Sequence, residues 1–166
     1  MNERVKTIVS LLAVVAWCGF IFYMSAFPAD ESIDMSMGIV YQVVQLLVPG
    51  FEYMPPIDQA AILDRFDHIV RKLAHFSEYA VLGALALNFA RRIGGTRSKP
   101  QHIVIWALCT LYAASDEFHQ MFVPGRSCQF TDVCIDSAGI VVGMLVFAAL
   151  HHLATRKRII GDSSLL

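Results

Sequence analysis

Four long apolar runs with few charged residues follow one another along the chain. They extend over about 5–27, 69–90, 102–123 and 130–153. A helix needs roughly 20 apolar residues to cross the hydrocarbon core of a bilayer, and each run has about that length. The pattern therefore predicts an all-α fold, an integral membrane four-helix transmembrane bundle that forms a single domain over residues 1–166.

Between the first and second runs, apolar residues recur near helical spacing. They are Ile33, Met37, Val40, Tyr41, Val44, Leu47 and Val48, and a Pro-Gly pair follows them. This spacing predicts an amphipathic outer helix between spans one and two, either lying on the outer leaflet or packed on the bundle. Pro56 suits the first turn of a helix, which predicts a further helix over 58–67 that leads into the second span.

Basic residues cluster at three places that the four spans put on one side of the membrane. The clusters are Arg4 and Lys6, then Arg91, Arg92, Arg97 and Lys99, then Arg156, Lys157 and Arg158. The connection over 28–68 is acidic instead. Because positive loops mark the cytoplasmic side, we expect both termini to be cytoplasmic. We expect the first span to be an uncleaved anchor, since its apolar stretch exceeds that of a signal peptide.

Composition agrees with a membrane class. Hydrophobic residues make up 56% of the chain and charged residues 16%, and the mean hydropathy is +0.55. These values are too apolar for an ordinary soluble domain. The formal net charge of -1 argues against a nucleic-acid partner, which would require a basic face.

Polar side chains, nine of them titratable, gather at the outer ends of three predicted spans. The ten residues are Lys72, His75 and Glu78 in the second, Asp116, Glu117, His119 and Gln120 in the third, and Arg126, Asp132 and Asp136 before and within the fourth. Lys72, His75 and Glu78 fall within an arc of about 120° on one helix face. Ionisable residues at membrane depth are costly and mark functional sites. We therefore predict a polar pocket that faces outward between spans two, three and four.

Residue type suggests a role for each of these side chains. The catalytic candidates, which can transfer protons, are His75, Glu78, Asp116, Glu117 and His119. The ligand-binding candidates are Lys72, Gln120, Arg126, Asp132 and Asp136, among which Arg126 and Lys72 would hold a phosphate or carboxylate. In the alternative interpretation, opposite charges such as Lys72, Arg126, Glu78 and Asp116 only neutralise one another inside the bundle.

We predict no metal ligands and no cofactor, and three alternatives stay open. Zinc is one, because His75, His119, Glu78 and Asp116 are zinc-ligand types, although they lack an HExxH-like signature. A disulfide between Cys128 and Cys134 is the second. The third concerns Gly139 and Gly143, a GxxxG pair that permits close helix approach either within the chain or in a homodimer.

Three segments resemble the signature of the VanZ-like family of bacterial multi-pass membrane proteins. They are RKLAHFSEY at 71–79, SDEFHQ with VPGR within 115–126, and DVCIDSAG at 132–139. The resemblance implies an envelope protein of the bacterial inner membrane, and the family's namesake is linked to low-level resistance to the glycopeptide teicoplanin. It also implies that all ten site residues except Asp136 match the family pattern, since Asp136 stands where the pattern has Asn.

Together these features predict an envelope protein that binds or modifies a lipid-linked or lipophilic molecule at the outer leaflet. An effect on glycopeptide susceptibility follows from the resemblance. A membrane-embedded hydrolase or transferase acting on a lipid headgroup is one alternative, and a small transporter is another, although no inverted repeat is evident. The expected partners are membrane lipids or a lipid-linked envelope precursor, with no nucleic acid.

Overall fold

The structure is a computed structural model that describes residues 2–94 and 99–163, with side chains described over 2–94 and 100–156. Within these residues it contains α1 (Glu3–Ser25), α2 (Ala29–Leu47), a 3-10 turn (Phe51–Tyr53), α3 (Pro56–Gly94), α4 (Lys99–Gln120) and α5 (Phe130–Ser163). The prediction of an all-α fold is confirmed. Arg97 and the side chains of Lys99, Lys157 and Arg158, which contributed to the predicted orientation, lie outside the described residues.

Two stretches are long and apolar enough to cross a membrane. They are Glu3–Ser25, with a mean hydropathy of 2.2, and Phe130–Arg156, with a mean hydropathy of 2.3. Only 11% and 28% of their apolar windows are buried inside the fold, so most of these side chains face outward. The predicted four spans are therefore supported only in part. Titratable residues such as Glu78 and Asp116 interrupt the apolar stretches of α3 and α4.

One apolar core joins α1, α3, α4 and α5. Its buried members are Ile21, Tyr79, Leu82, Leu87, Cys109, Ala113, Ile140 and Met144. Each of the four helices contributes to this list, so the four helices pack side by side. The polar residues of α3, α4 and α5 are consequently brought to the same end of this core.

α3 and α5 approach each other at glycines. A Cβ placed on Gly139 would overlap the carbonyl oxygen of Phe76, and a Cβ on Gly143 would overlap that of Ala80. Gly83 on α3 faces the α5 backbone in the same way. The GxxxG pair is thus used within one chain. A homodimer through Gly139 and Gly143 stays a prediction, and it would require this helix pair to separate.

The predicted amphipathic helix exists as α2 and packs on the first half of α3. Its residues Val40 and Val44 are fully buried in a small apolar core that includes Phe66 of α3. The predicted helix over 58–67 is likewise present, but it is continuous with the second apolar run in the 39-residue α3. α2 therefore belongs to the bundle rather than lying apart from it.

Candidate functional site

The connection between α4 and α5 holds Arg126 against the junction of α1 and α2. Gly125 has a φ of 74°, in the left-handed region that favours glycine. The Ala29 amide donates a hydrogen bond to the Pro124 carbonyl at 3.1 Å. Arg126 Nε donates to the Phe27 carbonyl at 3.2 Å. These contacts anchor the half-buried guanidinium between three helices.

Among the described residues, Arg126 has no ion-pair partner within 4.0 Å. Burial and then the neighbouring Arg71 lower the pKa of the Arg126 guanidinium, whereas Asp116, Glu117 and Glu78 raise it. Arginine nevertheless stays protonated in proteins. Because a half-buried cation without an ion-pair partner is costly, this position favours an anionic ligand.

Two cavities meet at Arg126. The first, here called the polar cavity, has a volume of about 230 Å³ and is lined by His68, Arg71, Lys72, His75, Gln120, Gly125, Arg126, Ser127, Gln129, Asp132, Ile135 and Asp136. The second, the mixed cavity, has a volume of about 200 Å³ and is lined by Met24, Ser25, Ser32, Met35, Ser36, Ile39, Val70, Arg71, Ala74, His75, Glu78 and Arg126. Only Arg71, His75 and Arg126 line both cavities. The wall that the cavities share is therefore entirely basic.

Seven of the ten predicted site residues line these cavities. Lys72, His75, Gln120, Arg126, Asp132 and Asp136 line the polar cavity, and Glu78 lines the mixed cavity. Asp116, Glu117 and His119 line neither. The predicted convergence of groups from α3, α4, α5 and their connection is thus present, but three of the five catalytic candidates lie outside the cavities.

Asp116 joins three helices behind the cavity wall. It is 3% exposed, and its Oδ2 accepts hydrogen bonds from Ser25 Oγ at 2.7 Å and Tyr79 Oη at 3.2 Å. Gln120 Nε2 donates to the same Ser25 hydroxyl at 3.4 Å. This network ties α4 to α1 and α3, so the geometry favours a positioning role for Asp116.

Glu117 and His119 are also engaged in helix packing. Glu117 Oε2 accepts from the main-chain amide of Gln129 at 3.1 Å, at the residue that precedes α5. The imidazole of His119 stacks on Phe22 of α1, with ring centroids 4.5 Å apart. Catalytic roles for Glu117 and His119 stay predictions, and neither side chain reaches the two cavities.

Two ion pairs organise the α3 side of the polar cavity. Lys72 Nζ lies 2.7 Å from Asp132 Oδ1 on α5. Arg71 Nε lies 2.8 Å from Oδ2 of the buried Asp67, whose Oδ1 accepts a hydrogen bond from Ser36 of α2. Arg71 and Asp67 were not among the predicted site residues, although their i, i+4 spacing at the start of the second apolar run is a signal for such a pair.

Asp136 is the most isolated titratable group of the site. It is 1% exposed and lines the polar cavity, and neither carboxylate oxygen has a hydrogen-bond partner among the described residues. Arg126 lines the same cavity but lies beyond ion-pair distance. The interpretation in which the charges only neutralise one another therefore does not account for Arg126 and Asp136.

In the described part of the chain, the side chains are not arranged as a metal site or as a disulfide. No group of three or more His, Cys, Asp or Glu residues there could hold a metal ion. Zinc binding itself is untested by this finding. Cys128 and Cys134 are both exposed and free, so the alternative of a bridge between them is not the state seen here.

A larger cavity of about 640 Å³ lies towards the opposite end of the bundle, between α1, α3 and α4. Its walls are apolar, and residues such as Leu82, Phe89 and Leu108 line it. It contains none of the ten predicted site residues. The chemistry of the side chains therefore assigns the candidate site to the polar and mixed cavities, despite their smaller size.

A comparison with protein families covers most of the chain. A family model described as VanZ/LLP1 matches residues 10–151. The chain belongs to the VanZ/LLP1 family. The resemblance seen in the three sequence segments is thereby confirmed, and the VanZ/LLP1 match includes every residue that lines the polar and mixed cavities. Together with the two apolar helices, membership supports a membrane protein. No curated protein and no solved structure matches the chain.

Proposed function

We propose that this VanZ/LLP1 protein binds a lipid-linked or lipophilic molecule with an anionic group at the outer leaflet of the bacterial inner membrane. The observation that supports this function is the basic wall of Arg71, His75 and Arg126 between the two cavities. Guanidinium groups bind phosphate and carboxylate oxygens through charge-assisted hydrogen bonds. An anion at this wall would contact both cavities at once.

The two cavities differ in a way that suits an amphiphilic ligand. Beyond the shared wall, the polar cavity is lined mainly by charged and amide side chains. The mixed cavity adds apolar side chains from three helices, namely Met24 of α1, Met35 and Ile39 of α2, and Val70 of α3. A charged head in the polar cavity would contact polar side chains, and a hydrocarbon chain in the mixed cavity would contact apolar ones.

The proposed topology has four spans with both termini in the cytoplasm. The apolar core supports it, because the second half of α3 and the middle of α4 pack beside α1 and α5 and would lie at the same membrane depth. α4 also exposes Ile103, Val104, Leu108 and Leu111 on its surface, as a lipid-facing helix would. In this topology the polar and mixed cavities open near the outer leaflet.

The direct test is mass spectrometry of the lipids that copurify with the protein. We expect wild-type protein to retain a lipid that carries an anionic group and that Arg126→Ala protein loses. Arg65→Ala is the matched control, because Arg65 is an exposed arginine of α3 that lines neither cavity. Equal lipid retention by all three proteins would contradict the proposed function.

A lipid hydrolase or transferase is a second candidate, favoured by His75 and Glu78. The two residues line the mixed cavity together, and His75 Nδ1 is buried without a hydrogen-bond partner among the described residues. An imidazole at that position is available for proton transfer beside the anion-binding wall. If the protein is an enzyme, His75→Gln should reduce product formation from a lipid extract by about a hundredfold or more while lipid retention persists.

Any effect on glycopeptide susceptibility would act through the bound lipid. The cavities of about 230 and 200 Å³ are smaller than the roughly 300–1,000 Å³ typical of sites for drug-sized ligands. A glycopeptide antibiotic is larger still. Arg126→Ala should therefore change glycopeptide susceptibility as much as deletion of the gene does, measured as the minimum inhibitory concentration.

A further inference from the structure

Among the described residues that line the polar cavity, one cation has no ion-pair partner and one carboxyl group has no hydrogen-bond partner. Arg126 has no ion-pair partner within 4.0 Å, and both oxygens of Asp136 lack a hydrogen-bond partner. Burying such groups without partners is costly. A ligand that brings a negative and a positive group would satisfy both residues at once.

The remaining lysine, arginine and aspartate side chains that line this cavity are already engaged in ion pairs. Lys72 pairs with Asp132, and Arg71 pairs with Asp67. Arg126 also lies on the wall shared with the mixed cavity, whereas Asp136 lines the polar cavity alone. The anionic part of a ligand is thus expected between the cavities and its cationic part within the polar cavity.

Building on the proposed function, we propose that the ligand is a phospholipid whose headgroup ends in a primary ammonium, as phosphoethanolamine does. Its phosphate would accept hydrogen bonds from Arg126, and its ammonium would donate to Asp136. A primary ammonium carries three N–H donors, as the lysine side chain does, and a quaternary ammonium carries none. The hydrocarbon chains would leave through the mixed cavity.

The size of the polar cavity sets a limit on the headgroup. Its volume of about 230 Å³ lies below the roughly 300–1,000 Å³ typical of sites for drug-sized ligands. A phosphoethanolamine head fits such a space. A headgroup that carries several sugars or a peptide does not, so only the phosphate end of such a precursor would enter.

Native mass spectrometry of the purified full-length protein can test this specificity. The probes are phosphatidylethanolamine, phosphatidylcholine and phosphatidylglycerol with identical palmitoyl-oleoyl chains. We expect the wild type to retain phosphatidylethanolamine at least about tenfold better than phosphatidylcholine, the effect of one charge-assisted hydrogen bond. Soluble O-phosphoethanolamine tests whether the lipid chains are required, and competition as strong as that of the lipid would overturn the assignment to a lipid.

Variants separate this inference from the proposed function. Asp136→Asn protein should lose the preference for phosphatidylethanolamine over phosphatidylcholine but should still retain phosphatidylglycerol. Retention of phosphatidylglycerol also shows that the variant is folded. Arg126→Lys should weaken retention of all three lipids. Asp34→Asn, an exposed carboxylate on α2, is the control and should behave as the wild type.

The retention of the three lipids by the variants distinguishes the ammonium assignment from the proposed function. A preserved preference in Asp136→Asn would overturn the ammonium assignment and leave the proposed function standing, provided that the Arg126 variants still lose lipid. Loss of all three lipids from Asp136→Asn would also overturn a headgroup-specific role. Unchanged retention of every lipid in both Arg126→Lys and Arg126→Ala would overturn the proposed function itself.

Discussion

Gly143 is the residue at which an added methyl group should disturb the α3–α5 contact most. Its Cβ would overlap the Ala80 carbonyl oxygen and would lie 2.5 Å from the carbonyl carbon and 2.8 Å from Cα. These are backbone atoms, so no change of rotamer relieves the overlap. At Gly139 the matching distances to Phe76 are 3.2 and 3.3 Å. Gly143→Ala should therefore be less stable than Gly139→Ala.

The expected magnitudes follow from overpacking and from helix propensity. Inserting a methyl group into a packed interior costs about 1–3 kcal/mol, and we place Gly143→Ala at the upper end of this range. Where space is open, replacing glycine by alanine instead stabilises by about 0.4–1 kcal/mol. A methyl group added at Gly19 or Gly38 would meet no atom within 4 Å, so Gly19→Ala and Gly38→Ala are the matched controls.

The assay is unfolding in mixed micelles with increasing dodecyl sulfate, monitored by near-ultraviolet circular dichroism. The predicted order of midpoints, from lowest to highest, is Gly143→Ala, Gly139→Ala, wild type, with the two control variants at or above the wild type. A Gly143→Ala protein as stable as the controls would refute the α3–α5 packing. So would a reversed order of the two interface variants.

Two further changes test the polar contacts in the same unfolding assay. Asp116→Asn should lower the free energy of unfolding by about 1.5–3 kcal/mol, because Ser25 and Tyr79 both donate to the carboxylate; an unchanged midpoint would argue against this network. Lys72→Ala and Asp132→Ala should show a coupling of about 0.5–1 kcal/mol in a double-mutant cycle, as expected for a partly exposed pair at 2.7 Å. Strict additivity would mean that the pair contributes nothing.

Helical periodicity was sufficient to predict the faces of α3 and α5. Lys72 and His75 share one face of α3, and Asp132 and Asp136 share one face of α5, so both pairs line the polar cavity. The same face of α5 also includes Gly139, which packs on α3. In these helices the polar and small residues follow one periodic pattern, and the pattern points to the neighbouring helix.

Periodicity could not predict which neighbour meets each face of α4. Asp116 and His119 fall on similar sides of that helix, and both contact α1, since Asp116 accepts from Ser25 and His119 stacks on Phe22. Both partners come from the end of α1, far earlier in the chain. Spacing within one helix carries no information on such distant contacts.

The mixed cavity was also beyond the reach of the sequence pattern. It exists because α2 packs on α3, where Ser36 bonds to Asp67 and so supports Arg71. The amphipathic pattern of α2 predicts a helix with one apolar face, but a membrane surface and a neighbouring helix satisfy that face equally well. Only the tertiary contacts show that a neighbouring helix, and not a membrane surface, covers the apolar face of α2.

The proposed function is tested most directly by measuring on which side of the membrane Arg126 lies. Cys128 follows it by two residues and is exposed and free, so it can react with a membrane-impermeant maleimide. We expect labelling in intact cells, and loss of that labelling in a Cys128→Ser, Cys134→Ser protein. Labelling that requires permeabilised cells would place the cavities on the cytoplasmic side and would contradict the proposed topology.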